Sequence, residues 1–218
     1  FFKQKTAYEI HWWRDASLQK RLDLMEAVAK RVGGKMDLML DPASTLETFA
    51  DAYKVGKACD EYGFLWLEDP YRDGGVSAFG HRKLRELINT PLLQTEHIRG
   101  VEMHVDFIVA DGTDFVRIDP DYDGGITGAM KIAHASEGFG LDAEIHVGGP
   151  ERRNLMAAIR NTNYYEMGLV HPRLKIGRPP VFLDFTEELD SIDAEGRVSV
   201  PTGPGFGATL DWEYIRAH

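Results

Sequence analysis

Six ionisable residues recur at the ends of short apolar runs: Asp41 after MDLML, Glu68 in FLWLE, Glu96 after PLLQT, Asp119 after FVRI, His146 after DAEI and Glu166 in YYE. Taken singly, an acidic residue at such a place is usually a loop cap or a partner of a helix N-terminus. Asp41, Glu68 and Glu96, at three successive run ends, are a different matter. Brought together without compensation they would repel strongly, and a hard divalent cation relieves that repulsion. An all-oxygen donor set suits Mg²⁺ and argues against zinc. Asp119 and His146 form a second pair, since a carboxylate beside an imidazole orients it and raises its basicity, which makes a general acid or base.

For these residues to meet, the runs must be strands whose ends face one place. Between them the apolar period changes to that of helices. Leu18, Leu22, Met25, Ala29 and Val32 share one face before Gly33 and Gly34, so a helix stops there. Ser44 and Glu47 have capping-box spacing, with Leu46, Phe49, Ala50 and Tyr53 as a following stripe, which predicts a helix from that point. AFGHRKLRELINT, VEMHVDFIVA, ITGAMKIAHASEG and ERRNLMAAIRN read as further helices between the strand runs. Strands alternating with helices pair in parallel through right-handed crossovers.

Two architectures fit, a (β/α) barrel of TIM type and a doubly wound sheet. A barrel points every strand end at one mouth, whereas an open sheet would carry a glycine-rich phosphate turn after its first strand. No such turn is present, so the expectation is an α/β fold with a modified (β/α) barrel over residues 11–168, as a seven-strand remnant. Residues 169–218, with HPRLKIGRPP, a hairpin across AEGR and the turn-rich PTGPGFG, read as a C-terminal extension packing over the barrel.

Composition narrows the partners. A formal net charge of -10 gives no general attraction for phosphate backbones, so nucleic acid is not expected. No run of eighteen apolar residues is present, so no membrane span is expected. Cys59 is the single cysteine; it excludes an internal disulfide, fits the reducing cytoplasm and reads as a packed, inert thiol. DPDYDGGI, residues 119–126, matches the opening of a calcium loop, but its twelfth position is Met130 rather than a bidentate glutamate, and Pro120 is foreign to such loops.

The motifs LMLDP, WLEDP, LLQTEHIRG, RIDPDYDGGITGAMKIA, EIHVGGP, NYYEMG and GRVSVPTGPGFGATLD resemble the enolase superfamily, specifically its mandelate racemase subgroup. The resemblance runs from about Asp15 to the C-terminus, and the intervals of 27, 28, 23, 27 and 20 residues between the six run-end residues are also similar to that family's. It implies Mg²⁺ held by Asp41, Glu68 and Glu96, with Asp119 and His146 as the catalytic dyad. Glu166 would be an electrophilic or hydrogen-bonding partner of the substrate. Sites of this superfamily pair a Lys or His base with Mg²⁺ to abstract a proton α to a carboxylate.

The chain departs from the pattern in one place. Many members carry a Lys-x-Lys pair at the end of the second strand as an opposed base, where this chain has Glu9, Ile10, His11, Trp12 and Trp13. One base suffices for β-elimination of water from an acid sugar, so a dehydratase is the expected activity. A racemase or epimerase of a 2-hydroxy acid, or a non-catalytic barrel binding a metal or metabolite, are the alternatives. His11 and His97 are possible assistants. The resemblance also implies a capping domain ahead of the barrel and a homo-oligomeric parent. The opening FFKQKTAYE resembles the translation of a common sequencing adapter, so residues 1–10 are expected to be adapter-derived and fused to a truncated frame. The alternative is a genuine strand in TAYEIHW.

Overall fold

A computed structural model describes residues 3–5, 16–72, 75–167, 181–187 and 191–218. Its first complete unit is α1 (Leu18–Val32), begun by Ser17, whose hydroxyl accepts from the Lys20 amide, and ended with Lys30 and Arg31 against the exposed carbonyls of the last turn. Met25 is buried and Leu18, Leu22, Ala29 and Val32 pack beside it, as the predicted stripe requires.

Strand β2 (Met39–Leu40) leads to α2 (Phe49–Tyr62). The expected capping box at Ser44 and Glu47 is not formed. The helix begins four residues later, with Thr48 Oγ1 accepting from the Asp51 amide at 3.1 Å. Leu46 explains the delay: it is buried and bridges to Tyr71 as extended backbone, so the chain cannot already be helical there. Gly63 closes α2 in the left-handed region, at φ 69°. Cys59 lies fully buried on this helix, and burial pushes its thiol well up, so the inert reading holds.

The remaining units follow in the predicted order: β3 (Trp66–Glu68), α3 (Ala78–Arg85), β4 (Leu92–Gln94), α4 (Gly100–Val109), β5 (Phe115–Ile118), α5 (Gly125–Gly138), β6 (Ala143–Ile145), α6 (Pro150–Ala158) and β7 (Tyr164–Glu166). Strands β2 to β6 form one parallel five-stranded sheet in sequence order. Residues of β3, β4 and β6 are buried throughout, as expected when helices and the sheet's own concave side cover both faces. The expected single barrel of seven strands is thus not formed among the described residues. β7 pairs instead with a short strand β1 (Lys3–Lys5), in parallel, as a separate two-stranded sheet. Residues 6–15, including His11 and the Glu9–Trp13 region, lie outside the described residues.

The break between β6 and β7 is spanned by a side chain. Glu144 is fully buried and its carboxylate accepts from the amides of Asn163 and Tyr164 and from Asn163 Nδ2 at 2.9 Å. Burial pushes its carboxyl up from 4.5 to about 7, against those donors and the nearby Arg117 charge. A carboxyl raised on folding favours the folded state while protonated, and that contribution is lost as pH rises through the folded value. Between pH 4.5 and 8 the wild-type chain is therefore expected to lose roughly 3 kcal/mol relative to Glu144→Gln. Urea midpoints across that range measure the difference, and parallel curves would show that Glu144 is not responsible.

At the C-terminal end, Phe182 bridges Leu210 and Ile192 bridges Val198, both antiparallel. The Asp193 amide donates to Arg197 O at 2.9 Å, so the hairpin expected across AEGR is present. Arg153 and Tyr165 both contact Glu187, which fastens residues 181–187 to α6 and β7. HPRLKIGRPP lies outside the described residues. The chain closes with α7 (Trp212–Ala217), capped by Asp211. No helix among the described residues is long and apolar enough to cross a membrane.

Candidate active site

The strand ends bring the six predicted residues to one side of the sheet. Asp41 follows β2, Glu68 ends β3, Glu96 lies just beyond β4, Asp119 and His146 follow β5 and β6, and Glu166 ends β7. Backbone strain gathers at the same side. Asp69, Thr95 and Val147 have φ of 32°, 95° and 52°, conformations that cost non-glycine residues on the order of 1–3 kcal/mol each and collect at functional sites.

The dyad is formed. His146 Nδ1 lies 2.9 Å from Asp119 Oδ2, which directs the other ring nitrogen outward, 3.4 Å from Glu96 Oε1. Burial would lower the imidazole's pKa, but the Asp119 bond and the Glu96 and Glu166 charges outweigh it and raise it. For Asp119 burial would raise the value, and the His146 bond, the Asp121 amide and Arg152 hold it below the ordinary carboxylate range. Arg152, on α6, reaches back with Nε donating to His146 O at 3.0 Å and Nη2 3.5 Å from Asp119 Oδ1. It therefore ties both members of the dyad to one helix.

Glu68 and Glu166 are joined through a residue that the sequence reading passed over. Arg117 is buried in β5, and its Nε donates to Glu68 Oε1 at 2.6 Å, with a second contact from Nη2 to the same oxygen. Nη2 also lies 3.3 Å from Glu166 Oε2, which accepts from the Val147 amide at 3.1 Å. Burial would lower the guanidinium's pKa; Glu68, Glu166 and Glu96 raise it instead. Its signal in the sequence was parity. Arg117 stands two residues before Asp119, so both point to the same face of the strand.

The three proposed metal ligands are not equally placed. Asp41 Oδ1 accepts from the Ala43 amide at 2.7 Å within its own turn, Glu68 faces Arg117, and Glu96 faces His146. Asp69, which the sequence reading did not select, sits among them. It is 1% exposed, neither carboxylate oxygen accepts a hydrogen bond among the described residues, and its carboxyl is pushed well up by burial and then by Glu96, Glu68 and Asp41. The surplus of negative charge gathered here by Asp41, Glu68, Asp69 and Glu96 fits a hard divalent cation.

Asp119 does not resemble a calcium-loop aspartate in its surroundings. Its amide donates to Asp123 Oδ2 at 3.1 Å, Asp123 Oδ1 accepts from the Gly100 amide, and a strand rather than a helix precedes it. This turn leans on Gly128, where a Cβ would meet Asp123 O at 1.6 Å. Gly128→Ala is expected to cost about 1–3 kcal/mol and displace the turn carrying Asp119. An unchanged urea midpoint would show that the turn accommodates the methyl group.

A family model described as Enolase C-terminal domain-like matches residues 2–214. The chain is 23% identical to D-gluconate dehydratase of Thermoproteus tenax over 201 residues, 89% of this chain and 38% of that protein. It is also 23% identical to D-xylonate dehydratase of Haloferax volcanii over 210 residues, 94% of this chain and 48% of that one. Among solved structures, D-glucarate dehydratase of Agrobacterium tumefaciens complexed with magnesium superposes with a TM-score of 0.80 at 28% identity, over 93% of this chain and 52% of that one. The chain thus spans about half the length, or less, of these relatives. With a match covering almost all of its residues, the chain belongs to the enolase C-terminal domain-like family.

Proposed function

We propose that this chain supplies the acid/base and metal-holding part of an acid-sugar dehydratase, an enzyme that removes the proton α to a carboxylate and then expels a β-hydroxyl as water. The observation that supports this most is the dyad: Asp119 2.9 Å from His146 Nδ1, in a cluster rich in buried carboxylates. Simple binding of a metal or metabolite has no need of an oriented imidazole. The substrate class is suggested by the relatives, whose names are those of acid-sugar dehydratases.

In the neutral imidazole, Asp119 holds the Nδ1 proton, so Nε2 carries the lone pair that takes the α proton. The same nitrogen, once protonated, is placed to give its proton to the departing hydroxyl. Asp41, Glu68 and Glu96 would hold Mg²⁺, which when bound offsets the negative charge developing on the substrate carboxylate. Glu166, held by Arg117 and the Val147 amide, would be the hydrogen-bonding partner of the same substrate oxygens. A capping domain and the remaining barrel strands, absent from the described residues, would complete the protein and close the mouth over the substrate.

The experiment is to incubate the full-length protein, with its capping domain, with a set of acid sugars and Mg²⁺ and assay for 2-keto-3-deoxy acids. Product that disappears with chelator is expected. Exchange of the α hydrogen in deuterated water without product would instead mark an epimerase, and neither signal across the set would leave a binding role.

A further inference from the structure

Among the described residues one group of side chains gathers three ligand atoms within 4.8 Å of one another, and it is Asp69, Glu96 and His97 rather than Asp41, Glu68 and Glu96. His97 Nε2 lies 3.3 Å from Asp69 Oδ2 and 3.8 Å from Glu96 Oε1. Gln94, two residues before Glu96, is fully buried, with neither amide atom hydrogen-bonded among the described residues. Gly75 leaves the space open: a Cβ there would sit 2.7 Å from Asp69 Oδ1 and 2.8 Å from Gln94 Oε1. An imidazolium paired with Asp69 would answer only one of these oxygens. Among the described residues the other carboxylate oxygen and the amide carbonyl would remain buried and without a partner, at a cost of about 1–3 kcal/mol each.

We propose that Asp69, Glu96 and His97, backed by the Gln94 carbonyl, form a second divalent-cation site that selects a borderline ion such as Mn²⁺, Co²⁺ or Zn²⁺. Three carboxylates suit Mg²⁺, whereas an imidazole in the donor set shifts preference along the first transition row. Glu96 belongs to both sets, so the second ion sits on its His97 side. The site goes beyond the function proposed above, which gives neither Asp69 nor His97 a ligand role.

The test uses the 218-residue chain saturated with Mg²⁺ and titrated with Co²⁺, read by visible absorption and by hyperfine-shifted histidine ring protons in the NMR spectrum. One equivalent of Co²⁺ is expected to shift one histidine ring, with the signal displaced by Zn²⁺ but not by excess Mg²⁺. It should be lost in His97→Gln, whose half-exposed side chain leaves the fold intact by circular dichroism, and kept in Asp41→Asn and His146→Gln. No shifted ring would reduce the contact to a plain ion pair and overturn the site. A signal that survives His97→Gln but not His146→Gln, or that excess Mg²⁺ displaces, would overturn it as well. Absence of a keto-deoxy product in the dehydratase assay is a separate result and leaves this one standing or falling by itself.

Discussion

His146→Asn in the full-length protein is expected to lower kcat for keto-deoxy product by about 10²–10⁴-fold, the range that a positioned general base contributes. Exchange of the α hydrogen should fall with it, because one nitrogen serves both. Asparagine fills a similar volume beside Asp119 and cannot take a proton, so circular dichroism and the urea midpoint should change little. Exchange that continues undiminished would assign the base elsewhere and defeat the dyad. The acid limb of the pH–rate profile gives a second reading of the same site. Burial pulls the His146 value down, but the Asp119 bond and the charges of Glu96 and Glu166 raise it overall. The limb should therefore lie above the ordinary histidine value of about 6.5. Asp119→Asn should move it down and lower the rate together, since the imidazole loses both its orienting partner and the charge that stabilises its protonated form.

Arg117→Met is expected to destabilise the chain by about 3–5 kcal/mol, the penalty for stranding a buried carboxylate when its partner is removed. Arg117 is 1% exposed and Glu68 is fully buried. Nothing of bulk solvent replaces the guanidinium when it is gone. The double variant Arg117→Met with Glu68→Gln should recover a large part of the loss, because the stranded charge is then absent, and a double-mutant cycle of urea midpoints measures the coupling. Arg117→Lys should recover less than full stability, since a point charge does not reproduce a fork that contacts Glu68 through Nε and Nη2 and Glu166 through Nη2. A change below about 1 kcal/mol in the single variant would mean that water or a bound cation takes over the pairing. Mg²⁺ added to Arg117→Met offers that comparison directly.

The order of the elements was legible in the sequence because each is a local matter. The period-2 and period-3.6 patterns, with Gly33 and Gly34 as stops, depend on neighbours a few residues away. The six ionisable strand ends were legible for the same reason, and so was the pairing of Asp119 with His146, since adjacent parallel strands leave little choice for residues at equivalent positions. The capping box at Ser44 was misread because its spacing is a local signal overruled by a distant one: Leu46 bridges Tyr71, a contact that only the assembled sheet provides.

What the tertiary structure decided was which charge faces which. Glu68 and Glu96 looked equivalent, both acidic and both at strand ends, yet Arg117 claims the first and His146 faces the second. Asp69, beside Glu68 in the chain, was hidden by its neighbour, and its importance rests on a positive φ and on Gly75 and Gln94 arriving from other parts of the chain. Arg152 approaches the dyad from a helix six residues beyond His146, with no motif to announce it. Local pattern therefore determined where the ionisable groups would stand. Their partners followed from through-space electrostatics in a buried site, where attraction depends on distance and dielectric rather than on position along the chain.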